Sequence, residues 1–144
     1  MNTKKYCDEE IKTLLYKNTA SFYRTYIEAL NIHDIRIIKN VKGELEEEIN
    51  TKLKDFKQEV YLIIDKMWID ENSIIIKNNG DIYTVEYDDG ADLSYERNGT
   101  KYSHPKFHAI MEINPNNNDW AIIRSETDRK IETGNHTLVD ITNY

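Results

Sequence analysis

Apolar residues in the first part of the chain recur every three or four positions, which is the spacing of one face of an α-helix. Between residues 8 and 31 they form one long stripe, made of Ile11, Leu14, Leu15, Phe22, Tyr26, Ile27 and Leu30. The same spacing predicts a short second helix around residues 35–38 and a third helix from Glu44 to about Glu59. The acidic run at residues 44–48 fits the solvated first turn of that third helix better than a cation site, because on a helix those side chains point in several directions.

Beyond residue 60 the pattern changes to short β-branched and aromatic runs with every-other-residue alternation, which is typical of an antiparallel meander. The predicted strands are Tyr61 to Ile69, Ser73 to Lys77, Asp81 to Tyr87, Ala91 to Arg97, Lys106 to Ile113 and Trp120 to Ser125. Three dipeptides, Asn79-Gly80, Asp89-Gly90 and Asn98-Gly99, favour tight turns, although a bulge in a long bent strand uses the same residues. Alternation places Phe107, Ala109, Met111 and Ile113 on one face, which should meet the helices.

Helices followed by strands indicate the α+β class, with about three N-terminal helices packed on a curved antiparallel sheet. The length of 144 residues suits one hydrophobic core. We therefore assign residues 1–127 to a single domain. The tail from Asp128 to Tyr144 has weak periodicity, so it is either an added edge strand or a loose end.

The amino-acid composition disfavours several classes of binding partner. The chain has 26 acidic and 19 basic residues, and its net charge of -7 disfavours nucleic acid as a partner. The single cysteine, Cys7, excludes an internal disulfide bond and a multi-thiolate zinc site. Lipidation of Cys7 is disfavoured, because Lys4-Lys5-Tyr6 precedes it where small apolar residues would be needed. No stretch approaches the roughly 18 apolar residues of a membrane span, so we do not expect this chain to be membrane-inserted.

Candidate chemistry is sparse. His104 and His108 would face the same side of a strand, but no third ligand lies at a fixed spacing, so a structural role is favoured over a metal site. Residues 88–92 lack the spacing of a calcium-binding loop. Trp68 and Trp120 are expected to pack in the core or a groove, with ligand stacking as the alternative. The sequence assigns no catalytic, cofactor-binding or metal-binding residue, leaves the ligand-binding residues unknown, and predicts that the protein is not an enzyme.

The run Phe22-Tyr23-x-x-Tyr26-x-x-Ala29-Leu30-Asn31-x-x-Asp34-x-x-x-Ile38 resembles the opening of nuclear-transport-factor-2-like domains. In those domains a long helix ends in an Ala-hydrophobic-Asn-x-x-Asp corner and a short helix follows. Asp119-Trp120-Ala121-Ile122-Ile123 resembles their closing strand. The resemblance covers residues 10–126 and implies a cone-like member of that superfamily (the cystatin-like α+β cone).

Within this superfamily the chain is most similar in style to the extracellular C-terminal domains of TcaA/YvbJ-type Gram-positive membrane proteins. That similarity implies an excised domain of an anchored protein on the extracellular face of the bacterial membrane. It also implies a non-catalytic cell-envelope role, binding a protein, a peptide or a cell-wall component. The extra tail after Glu126 departs from the family pattern.

Several other hypotheses about function remain open beside the cell-envelope role. The first alternative is a small-molecule enzyme or carrier of the ketosteroid-isomerase or polyketide-cyclase type, although no catalytic pair of those enzymes maps onto this sequence. The second is a phage or toxin-immunity partner that binds through its acidic charge. A cytoplasmic location and a homodimer are also compatible with the sequence.

Overall fold

The computed structural model describes residues 6–55, 61–95, 101–103, 106–127 and 137–144. In these ranges the chain forms helices first and an antiparallel sheet second, so the α+β class is confirmed. The helical elements are α1 (Asp8–Ile32), a 3-10 turn (Ile35–Ile37) and α2 (Glu44–Asp55). The strands are β1 (Leu62–Asn79), β2 (Ile82–Tyr95), β3 (Lys101–Ser103), β4 (Phe107–Asn114), β5 (Asp119–Thr127) and β6 (Leu138–Asp140).

The long first helix is confirmed. It ends at His33, whose backbone adopts the left-handed conformation with φ of 54° and donates its N–H to the carbonyl of Ala29. The expected second helix is only a three-residue 3-10 turn, since the chain leaves helical geometry at His33 and soon turns toward α2. The third predicted helix begins at Glu44 as expected, and its predicted continuation over residues 56–59 lies outside the described residues. The cone-like shape stays a prediction.

The described strands form one antiparallel sheet in the order β5-β4-β2-β1-β6, with β3 also paired to β2. Two pairs of predicted strands merge into single longer strands, while β3 and β6 lie outside the six predicted runs. The runs at 61–69 and 73–77 belong to the single strand β1, and the break between them is a register irregularity between Asp70 and Ile75. The runs at 81–87 and 91–97 likewise join in β2, as far as residue 95.

The turn predicted at Asp89-Gly90 is wrong. Gly90 lies inside β2, directly opposite Trp68 on β1. A Cβ atom added to Gly90 would stand only 2.1 Å from the Trp68 ring, so glycine is required there for close packing of the indole and not for a turn. Gly80, with φ of 80°, does close the β1–β2 hairpin as predicted. Asn98-Gly99 lies outside the described residues.

The core lies between the helices and one face of the sheet. The predicted inward face of β4 is confirmed for Ala109, Met111 and Ile113, which are all buried. From the helices and the two longest strands the buried apolar side chains include Ile11, Leu15, Ile27, Leu45, Ile49, Met67, Ile69, Val85, Tyr87 and Leu93. Burial of this continuous surface supplies the main driving force for folding.

Asn31 joins the end of α1 to the start of β1. Its side-chain amide donates to the carbonyl of Leu62 at 2.9 Å, and its side-chain oxygen accepts from the N–H of Leu62 at 2.8 Å. The amide thus takes the place of a neighbouring strand for one residue, and satisfies backbone groups that would otherwise lie unpaired at a sheet edge. This contact fixes the helix corner that the sequence marks with Ala-hydrophobic-Asn.

The end of the chain is docked against the sheet. Leu138–Asp140 pairs with β1 at Trp68 to Asp70 and forms the edge strand β6, while residues 128–136 lie outside the described part. Ile141 is completely buried, and the guanidinium of Arg24 donates to the carbonyl of Thr142 at 2.8 Å. Residues 137–144 therefore pack as part of the domain.

Candidate functional site

A buried carboxyl group lies at the contact between α1 and β2. Asp89 occupies an inward position of β2 and is 4% exposed. The hydroxyl of Tyr23 on α1 donates to its Oδ1 atom at 2.8 Å. The pKa of Asp89 is raised to about 7, mainly by burial and also by the charge of Asp88, while the Tyr23 hydrogen bond and His108 act in the opposite direction.

Tyr23 keeps its proton over the ordinary pH range. Burial and the neighbouring Asp89 carboxyl raise the pKa of Tyr23 well above 10. It is therefore a permanent donor to Asp89. Among the described residues it is the only hydrogen-bond donor recorded for this carboxyl group.

Two further hydroxyl groups are buried nearby. Thr19 on α1 and Tyr87 on β2 are both completely buried, and within the described part of the chain neither hydroxyl has a partner at hydrogen-bond geometry. The Thr19 hydroxyl nevertheless lowers the pKa of Tyr87, so the two groups lie close together, although burial raises that pKa more strongly. Together with Tyr23 and Asp89 they form a group of buried polar side chains between α1 and β2.

A second polar cluster lies on the opposite face of the sheet. Lys106 contacts Asp70 at 3.3 Å and Asp88 at 3.8 Å, while the two ring nitrogens of His108 lie 2.8 Å from Asp88 and 3.5 Å from Glu86. Burial lowers the pKa of His108, but the hydrogen bonds and charges of Asp88 and Glu86 outweigh it and raise the pKa overall. The cluster ties β1, β2 and β4 together, and so is best explained as structural.

A shallow apolar groove opens beside the Tyr23–Asp89 contact. Its walls are mostly apolar: Phe22, Tyr23 and Tyr26 from α1, Leu45 and Ile49 from α2, and Phe107 from β4, with Lys52 of α2 and Ser125 of β5 completing the lining. The Phe22 and Tyr26 rings stack at a centroid distance of 5.9 Å. The groove has a volume of about 80 Å³, which is far below the roughly 300 Å³ at which small-molecule pockets begin. It has room for about one side chain.

An acidic groove continues from the apolar one. The two share Leu45 and Ser125, and the second, of about 250 Å³, is lined by Glu44 and Glu48 of α2 and by Arg124 and Glu126 of β5. Arg124 is held by Glu126, with its Nη2 atom 2.7 Å from Oε1. Three carboxylates face this one cation, so the acidic groove is negatively charged, and Lys52 stands on the apolar side of the pair of grooves.

The candidate residues named from the sequence occupy different kinds of position in the structure. His108 enters the ionic cluster described above, whereas His104 lies outside the described residues. Residues 88–92 form part of β2 and not a loop. Trp68 covers Gly90, and Trp120 packs against the core. Cys7 is exposed at the start of α1.

Sequence reasoning missed Asp89 and Tyr23. A signal for Asp89 was present, because Tyr83, Val85, Tyr87, Asp89, Ala91 and Leu93 alternate along one strand, and an aspartate in that series predicts a buried carboxyl group. Reading Asp89-Gly90 as a turn removed it from the series.

The described residues were searched for metal-binding clusters and for membrane-spanning helices. Within those ranges no group of three or more His, Cys, Asp or Glu residues has an arrangement that could hold a metal ion. No described helix combines the length and the apolar character needed to cross a membrane.

Comparison with known proteins gives no family: no family model, no curated protein and no solved structure matches the chain.

Proposed function

We propose that this chain is a non-catalytic domain that binds a peptide segment of a partner protein in the two adjoining grooves between α2 and the β5 edge of the sheet. The observation that carries the proposal is the composite shape: an apolar groove for one side chain, beside an acidic groove. Such a surface suits an apolar side chain flanked by basic residues. The apolar group supplies burial and the charges supply orientation.

Peptide binding tests this proposal directly. We expect N-acetyl-Lys-Phe-Lys-amide to bind more tightly than N-acetyl-Lys-Ser-Lys-amide by up to about tenfold, since full burial of a phenylalanine side chain contributes roughly 1.5–3 kcal/mol and the shallow groove buries only part of it. Replacing both lysines of the phenylalanine peptide by glutamate should weaken the binding of that peptide several-fold, through repulsion at the acidic groove. Isothermal titration calorimetry at low and high salt measures both effects.

Matched variants show which part of the surface binds the peptide. Phe22→Ala should reduce the affinity for the phenylalanine peptide, and Glu48→Gln should reduce the preference for lysine over glutamate. Ile75→Ala removes an apolar side chain that is 52% exposed on the face of the sheet away from the helices, so it should leave binding unchanged. Equal affinity for all three peptides would refute the proposal.

We further propose that the domain acts in a bacterial cell envelope, on the extracellular face of the membrane. The support is the resemblance of the α1 corner and the closing strand to nuclear-transport-factor-2-like domains of such proteins. Co-sedimentation with purified Gram-positive peptidoglycan sacculi tests whether the wall itself is the partner.

A small-molecule enzyme is the second candidate, and one observation favours it. A carboxyl group with a pKa of about 7 beside a tyrosine hydroxyl is suited to general acid–base chemistry. Against it, Asp89 does not line the groove, and the groove is small. Exchange of carbon-bound hydrogen for deuterium in small β-diketones, catalysed by the wild type and abolished by Asp89→Asn, would establish enzymatic activity instead.

A further inference from the structure

The outer side of β5 is only briefly paired with another segment. β5 lies at one end of the sheet order, so one of its sides faces away from β4. On that side Ile122 donates its N–H to the carbonyl of Asn40 at 2.9 Å and accepts from the N–H of Lys42 at 3.1 Å. This is a single parallel bridge, and the chain then enters α2 at Glu44. Among the described residues, none forms a backbone hydrogen bond with this side of residues 123–127.

Ser125 directs its peptide groups to the same outer side. Ile122 lies opposite Met111 of β4, and Ser125 lies opposite Ala109, two positions along that strand. Peptide groups alternate between the two sides of a strand, so Ser125 points its N–H and C=O outward as Ile122 does. The additional residue between them, Ile123, is taken up by the register irregularity. An outward N–H and C=O on an edge strand form a template for one more strand.

This template lies within the site of the proposed function. Ser125 lines both grooves, and it shares the acidic one with Glu44 and Glu48 of α2 and Glu126 of β5. Directly paired residues of neighbouring strands project their side chains to the same face of the sheet. A residue added opposite Ser125 would therefore point its side chain toward the apolar groove, and the rest of the added chain would lie among the carboxylates.

We propose that the partner peptide binds as an extended strand that pairs with the outer side of β5 beyond Ile122. This binding mode rests on the proposed function and specifies the conformation of the partner segment. Main-chain hydrogen bonds supply affinity in strand addition, and the side-chain grooves supply selectivity. The three carboxylates favour a basic peptide over a second copy of this chain, because two copies paired through β5 would bring their own acidic groups together.

N-methylation of a peptide tests the strand pairing. The probe is N-acetyl-Thr-Lys-Phe-Lys-Thr-amide, in which the amides of phenylalanine and both threonines share one side of an extended chain and those of the lysines share the other. A methyl group on an amide that faces β5 removes a hydrogen bond and prevents close approach, whereas one on an outward amide does neither. Calorimetry should show alternating losses of affinity, about tenfold or more on one set of positions and less than about threefold on the other.

Amide hydrogen exchange in the full chain gives an independent measurement. The N–H of Ser125 should exchange at least about tenfold more slowly when the probe peptide is saturating. Arg124 is the matched control, because its peptide groups face β4 at its pairing with Ile110. Its exchange rate should change by less than about threefold.

The outcomes keep the strand pairing and the proposed function apart. Binding with equal losses at all methylated positions, or binding that leaves the Ser125 exchange rate unchanged, would overturn the strand pairing alone. Protection of Ser125 that grows with protein concentration in the absence of peptide would identify a second copy as the occupant, and would also overturn it. Absence of binding by every peptide would overturn the proposed function, and the strand pairing with it.

Discussion

The free energy of unfolding should fall by up to about 4 kcal/mol as the pH rises from about 4 to about 8, because each unit of pKa shift corresponds to about 1.4 kcal/mol. The main cause is Asp89, whose pKa rises from 3.8 to about 7 on burial. A group with a raised folded pKa stabilises the protein fully below its unfolded pKa, and this stabilisation is lost as the pH passes through the folded value. His108, whose pKa is also raised, acts in the same direction.

Urea unfolding at several pH values measures this dependence. Asp89→Asn should be nearly as stable as wild type at about pH 5 and more stable than wild type at about pH 8, which flattens the curve. Asp119→Asn, which removes an exposed carboxylate at the start of β5, should follow the wild-type curve. Asp34 and Asp140 have lowered pKa values, so their contributions are lost only at more acidic pH. A wild type that is as stable at pH 8 as at pH 5 would contradict this account of Asp89.

Ile141→Ala should destabilise the protein by roughly 2–4 kcal/mol, the usual cost of truncating a fully buried isoleucine. Ile141 is completely buried, and its backbone N–H donates to the carbonyl of Met67 at 2.9 Å. The truncation would leave a cavity beneath the edge of β1. Thermal or urea unfolding of the variant measures the loss.

Leu138→Ala is the matched control. Leu138 lies three residues away in β6 but is 51% exposed, so its truncation should cost about 0.5 kcal/mol or less. Similar losses for the two variants would mean that residues 137–144 do not pack as described. A large loss for Ile141 alone would establish the tail as part of the folding unit.

Helix and strand content could be predicted from the sequence, because local periodicity reports which face of an element is buried. The stripe from Ile11 to Leu30 predicted α1 almost to the residue, and the alternation in residues 107–113 predicted the buried face of β4. The positions of strand breaks could not be predicted in this way. Asp89-Gly90 reads as a turn, and only the Trp68 ring on the neighbouring strand explains the glycine.

The candidate site could not be predicted from the sequence, for a related reason. Tyr23 and Asp89 are 66 positions apart, and the grooves combine α1, α2, β4 and β5. Their proximity follows from how the helices lie on the sheet. Periodicity predicts that Phe22 and Tyr26 share a helix face, but it does not indicate that α2 leaves part of that face uncovered.

The central claim is that a single apolar side chain with basic neighbours binds where α1, α2 and β5 meet. The most direct test is a map of amide and methyl chemical-shift changes on adding N-acetyl-Lys-Phe-Lys-amide to the labelled chain. The account predicts the largest changes at Phe22, Tyr26, Leu45, Ile49 and Ser125, saturating with the affinity found by calorimetry. Changes centred on the opposite face of the sheet, around Ile75 and His108, or no saturable change, would contradict it.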